Sequence, residues 1–266
     1  MTINSYLTVL SKTAIVRDQE KASIQLSINT LKKRLTGYFG AQISDSYVFG
    51  SYSRGTILPR NMDLNSDVDY MVVFTDRSFR PQTYLDKLGR FVEQCYSSSE
   101  IYQSNPTIVL SMNHIKFEIV PAIHVPFYGL QIPAKASSHQ NWLGTNPVGF
   151  NGDLVKANKS HNSLIKPLIR ITKYWNAQNG YPFESFSLEQ SIVEHGFWTR
   201  WASGGGQLAD YFFDFMEDLN VGFWPPKWKH EIITRAKQRL AAVKEFEKIG
   251  NIDRAERELS KLFLAT

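Results

Sequence analysis

The sequence predicts an α+β protein, with a mixed sheet flanked by helices in the first part of the chain packed on a lobe of helices in the second. Three observations carry this. Short β-prone runs with period-two alternation appear only before residue 121. Patterns of helical period fill the chain from residue 151 onward. Between them, residues 121–150 carry Pro121, Pro126, Pro133 and Pro147 amid Gly, Ser and Asn with no sustained periodicity, which reads as a crossover loop. The expected division is therefore a lobe at 1–150, beginning with a long N-terminal helix, and a helical lobe at 151–266.

In chain order, residues 18–39 place Ile24, Ile28, Leu31 and Leu35 at helical spacing, with Lys32, Lys33 and Arg34 mostly off that stripe. This is one long amphipathic helix. SDSYVFGSYSRGT is a β-rich run that stops at Gly50-Ser51, and DVDYMVVF at 67–74 is a second strand. A helix-like segment spans 81–96. TIVLSM at 107–112 and IKFEIV at 115–120 flank Asn113-His114 and resemble a hairpin. Helical segments follow at 161–178, 186–202, 207–219, 227–248 and 252–263, with Gly204-Gly205-Gly206 as a plain joint between two of them.

Composition bounds the function classes. The 266 residues are 42% hydrophobic, 13% aromatic and 21% charged, which supplies a core and excludes disordered, collagen-like and disulfide-stapled readings. Thirty Lys+Arg against 25 Asp+Glu give a formal charge of +5, which suits a polyanionic partner without requiring one. The start of the chain lacks the basic and apolar regions of a secretory signal, and no window approaches the roughly 20 apolar residues of a membrane span. A single Cys95 forms no internal disulfide and reads as a structural thiol. The expectation is a cytoplasmic protein with no membrane partner.

Side chains alternate along a strand, so Asp67 and Asp69 share one face while Val68 and Tyr70 take the other. Phe117 and Ile119 claim the apolar face of their strand and push Glu118 to the opposite side. If the two strands are neighbours, three carboxylates converge. Such a cluster repels itself and calls for a cation. Mg²⁺, or Mn²⁺, accepts a few carboxylates and keeps positions for water and phosphate oxygens, which suits phosphoryl or nucleotidyl transfer. The Gly50-Ser51 turn adds a close backbone approach and a hydroxyl donor for phosphate. Singly, a D-x-D or a Gly-Ser reads as a solvated turn; their order and spacing together do not.

FGSYSRGT, SDVDYMVVF and FEIVPA together resemble the nucleotidyltransferase superfamily that shares the DNA polymerase β-type catalytic fold. The arginine and threonine of GSYSRGT and the form of the third acidic strand resemble the oligoadenylate synthetase and cyclic GMP-AMP synthase-like branch. That branch includes the bacterial cyclic-oligonucleotide synthases of anti-phage signalling. LIRITKYWNAQ and ESFSLEQ extend the likeness into the second lobe, and NIDRAERELSKLF is similar to the C-terminal segment of bacterial members.

The resemblance implies that Gly50 and Ser51 bind the triphosphate, with Asp67, Asp69 and Glu118 as metal ligands and catalytic residues. Glu118 stands where the family more often has Asp. It implies further that Lys173 and Ser185 hold the triphosphate and that the active site lies between the lobes. On the residues alone, Lys173 is a solvated face residue and Ser185 a helix N-cap. Arg54 either reaches a phosphate or braces the turn. Asp63 competes with Asp67 but lies outside the strand phase of Asp69. Tyr174, Trp175 and Tyr181 pack in the core rather than stack a base.

Lys227, Lys229, Arg235, Lys237, Arg239 and Lys244 gather on one helix with Ile232, Ala236, Leu240 and Val243 as its buried stripe; they read as a solvated face, or else as a guide for nucleotides or a nucleic-acid acceptor. No His or Cys spacing suggests zinc. The leading expectation is a Mg²⁺-dependent nucleotidyltransferase that joins ATP or other nucleoside triphosphates into a short, cyclic oligonucleotide and releases pyrophosphate. Transfer to an RNA end or a protein keeps the same chemistry with another acceptor, and 266 residues are few for the signalling synthases. An inactive nucleotide-binding relative is the third reading, and a regulatory partner fits any of them.

Overall fold

The computed structural model describes residues 1–134, 141–197, 206–220, 222 and 225–264. The chain forms two units, one of Val16–Arg60 and Leu64–Asn151, the other of Met1–Ile15, Asn61–Asp63 and Gly152–Thr266. Residues 1–15, which the sequence reading gave to the first lobe, thus group with the helices. The reason is local: helix α1 (Ile3–Thr13) buries Ile3, Leu7 and Ser11 at four-residue spacing and packs on helices of that unit.

The first unit is a seven-stranded mixed sheet, strands β1 (Ile43–Val48), β2 (Asp67–Phe74), β3 (Glu100–Ser104), β4 (Thr107–Ser111), β5 (Lys116–Val125), β6 (Gly129–Pro133) and β7 (Trp142–Thr145). The order runs β1-β2-β5-β4-β3, with β6 pairing β5 and β7. Among the described residues only β2 and β5 run parallel. Helix α2 (Asp18–Phe39) and helix α4 (Pro81–Cys95) cover one face. Val68, Tyr70, Val72 and Phe74 of β2 and Phe117 and Ile119 of β5 meet Ile24, Ile28, Leu31 and Leu35 of α2 there. The opposite face is apolar only in its later part, where Met71, Val73 and Ala122 pack with Tyr47, Phe49, Leu130 and Ile132. At its start that face carries carboxylates instead.

Among its described residues the expected crossover loop is instead largely strand: β5 continues to Val125, and β6 and β7 follow. The strand accommodates its proline where pairing on one side lapses. Pro121 pairs with Val72 of β2 on one edge of β5. On the other edge it falls between Ile119, the last position paired with β4, and Ile123, the first paired with β6. A proline is tolerated in a strand where a ladder is interrupted. Strand β3 also went unread, because four of its five residues are exposed and no apolar alternation marks it.

The second unit holds α1, most of α5 (Gly149–Ser160), α6 (Ile165–Gln178), α7 (Ser185–Glu194), α8 (Leu208–Asp218), α9 (Lys227–Lys248) and α10 (Ile252–Ser260). Helix α5 lacks the periodic stripe of its neighbours, burying only Leu154, so its pattern carried no signal. Trp175 is fully buried and Tyr174 stacks on Phe263 at 5.7 Å, so both serve the core. In α9 the buried stripe is Ile232, Ile233, Ala236, Leu240 and Val243. Lys227 pairs with Glu231, Arg239 with Glu258 and Lys244 with Glu217. The end of the expected 186–202 helix, with Gly204 and Gly205, lies outside the described residues.

Candidate active site

The acidic face is set by the register of two parallel strands. Asp67 and Asp69 are half-buried, while Val68 and Tyr70 between and after them are buried in the core. Phe117 and Ile119 are buried in that same core, so Glu118 turns to the other face. In the ladder Asp69 stands opposite Glu118 and Asp67 opposite Lys116. Period-two alternation puts all four side chains on one face of the sheet.

Lys116 joins this cluster directly. Its Nζ lies 3.5 Å from Asp67 Oδ2 and 3.7 Å from Glu118 Oε1. Sequence reasoning missed it, although alternation back from Glu118 places it on the acidic face. Among the described residues no group of three or more His, Cys, Asp and Glu side chains is gathered so as to hold a metal ion. The donor set nevertheless fits a hard cation: three half-exposed carboxylates from adjacent strands, with a positive charge already resting between two of them.

The turn after β1 explains its glycine. Phe49 N donates to Asp69 O at 3.0 Å, which ties the turn to β2. Gly50 then adopts φ +67°, and a Cβ there would lie 1.8 Å from Asp69 Oδ2. Only glycine lets the backbone pass this close to the carboxylate. Helix α3 (Gly50–Arg54) follows and ends at Gly55 in the left-handed region. Ser51 O accepts from Thr56 N at 2.9 Å and Ile57 N at 3.1 Å. Arg54 is buried, with its guanidinium 5.5 Å from the centre of the Phe150 ring.

Lys173 and Ser185 belong to the helical unit. Lys173 does not lie on a solvated face. It is 7% exposed, and its Nζ donates to Glu189 Oε1 at 2.9 Å. Glu189 belongs to the ESFSLEQ segment, and nothing in its spacing announced this pairing. Ser185 is the first residue of α7, and the N-cap is Glu184, one position earlier than expected. Asp63 accepts a hydrogen bond from the Tyr181 hydroxyl, within the helical unit.

Residues 1–158 match the model of the SMODS family, the Second Messenger Oligonucleotide or Dinucleotide Synthetase domain. The chain belongs to this family. A probable cyclic nucleotide synthase from Bacillus cereus is 25% identical over 205 residues, covering 64% of this chain and 61% of its own. The CBASS oligonucleotide cyclase CdnC of Escherichia coli is 25% identical over 213 residues, 75% of this chain and 65% of its own. This SMODS chain therefore spans under two thirds of either relative. The structure of Vibrio cholerae DncV bound to GTP superposes with a TM-score of 0.71 at 9% identity, covering 91% of this chain and 90% of that one. The polymerase β-like nucleotidyltransferase fold expected from the motifs is thus the fold observed.

Proposed function

We propose that this SMODS protein is a divalent-metal-dependent nucleotidyltransferase that joins nucleoside triphosphates, ATP among them, into a short cyclic oligonucleotide messenger and releases pyrophosphate. The observation that carries the reading is the parallel register that sets Asp69 opposite Glu118 with the Gly50 backbone against the Asp69 carboxylate. Asp67, Asp69 and Glu118 are the ligands for Mg²⁺ or Mn²⁺. The bound metal supplies charge neutralisation on the transferring phosphate and on the attacking and leaving oxygens.

The protein's own groups bind and orient. Gly50 admits a triphosphate close to the backbone, and the Ser51 hydroxyl donates to its oxygens. Arg54, buried at the end of α3, is assigned through the same motif to a phosphate oxygen or to bracing that turn. Glu118 is assigned through its motif to the side of the attacking ribose hydroxyl. Lys173 and Ser185 are assigned to the triphosphate through their motifs, with Glu189 fixing the Lys173 ammonium. The protein acts in the cytoplasm, in signalling of the kind its relative's CBASS designation names.

Transfer to RNA or protein is the weaker reading. Three of the six basic side chains of α9 that suggested a nucleic-acid acceptor are engaged in ion pairs, and membership of a second-messenger synthetase family favours self-joining. The test is incubation with labelled triphosphates and Mg²⁺ or Mn²⁺, with and without total RNA. Cyclic or short oligonucleotides formed without RNA are expected. Label found only on RNA or on protein overturns the proposal.

A further inference from the structure

Lys116 is a charge that nucleotidyl transfer by three carboxylates does not require, placed where a cation would sit. Its position is dictated by the fold. In the β2–β5 ladder it stands directly opposite Asp67, and on β5 it precedes Glu118 by two residues, so both neighbours lie on its face. The ammonium reaches both carboxylates, at 3.5 and 3.7 Å. All three side chains are shielded, 19% exposed for Lys116, 27% for Asp67 and 29% for Glu118, so the pairing is screened less than one on an open surface.

From this geometry we infer that Lys116 is a resident counter-cation of the acidic face, which a divalent ion must displace to bind. The inference deepens the proposed function and rests on its metal reading. Folding brings carboxylates onto adjacent strands whether or not metal is present, and their repulsion needs an internal counter-charge. Lysine suits that task. Its ammonium is a compact point charge on a flexible four-carbon stem, able to pair with one or two carboxylates and to withdraw when a stronger cation arrives.

The cost of displacement weakens the site for a free ion. A metal that arrives with a triphosphate has the additional contacts of that ligand to offset the loss. Lys116 thus couples metal occupancy to nucleotide binding and keeps the folded protein tolerant of an acidic face in the absence of either.

The test is Mn²⁺ titration of the full chain without nucleotide, followed by the paramagnetic resonance signal of free Mn²⁺. Wild type, Lys116→Met, Lys116→Gln, Lys116→Arg and Asp67→Asn are compared. Lys116→Met and Lys116→Gln are expected to bind Mn²⁺ about tenfold more tightly than wild type, because a positive charge a few ångströms from the ion is gone. Lys116→Arg keeps the charge and stays near wild type. Thermal unfolding supplies a second readout: Lys116→Met melts lower than wild type without metal and gains more on adding Mn²⁺.

Should both neutral variants bind Mn²⁺ within about twofold of wild type while Asp67→Asn binds poorly, the metal site stands and the role of Lys116 is overturned. Equal binding by Asp67→Asn and wild type overturns the metal reading itself, and the inference with it.

Discussion

Gly50 has little freedom to change. It combines φ +67° with a carboxylate oxygen 1.8 Å from where a Cβ would sit. Gly50→Ala is therefore expected to push Asp69 out of line and to cut turnover by on the order of 100-fold, the scale of an ångström-sized misplacement. The left-handed backbone adds a stability cost of about 1–2 kcal/mol, read by urea denaturation. The glycine was legible in sequence as the partner of a phosphate; its contact with Asp69 was not, since that depends on a turn packing against another strand. The Lys173–Glu189 pair makes a second expectation at this scale. Removing one member leaves a buried charge and costs about 3–5 kcal/mol, whereas a Lys173→Met, Glu189→Leu double variant recovers much of that loss. Denaturation midpoints of the three variants check this.

At the scale of elements, period and burial carried most of the fold. Helix α2 buries Ile24, Ile28, Leu31, Leu35 and Phe39, the stripe its spacing announces. Leu31→Ala, at a fully buried position, is expected to cost about 2–5 kcal/mol. Exposed Lys32→Ala should stay within about 0.5 kcal/mol of wild type. Equal effects of the two in urea denaturation contradict the assigned face. Strands buried on one side, β2 and β5, were legible through alternation; β6 and β7 were hidden because prolines and glycines dominate their surroundings. The same alternation predicted the acidic face, and it also contained Lys116. A lysine two residues before a glutamate reads as an ordinary strand pair until the register shows Asp67 opposite it.

For the whole molecule, the formal charge of +5 summarises little. It averages an acidic face on β2 and β5 with a helix, α9, rich in lysine and arginine. The division into units follows packing more than chain order, which is why α1, a short amphipathic helix at the start, groups with helices more than 150 residues away. Sequence pattern names which face of an element is apolar but not which distant element covers it. The central claim is that the carboxylates on β2 perform nucleotidyl transfer in this SMODS chain. Mass spectrometry of products from all four triphosphates with Mg²⁺ or Mn²⁺, for wild type and for the Asp67→Asn, Asp69→Asn double variant, tests it most directly. The account predicts cyclic oligonucleotide and pyrophosphate from wild type and none from the double variant, with both proteins equally folded. A double variant that forms product at the wild-type rate would contradict it.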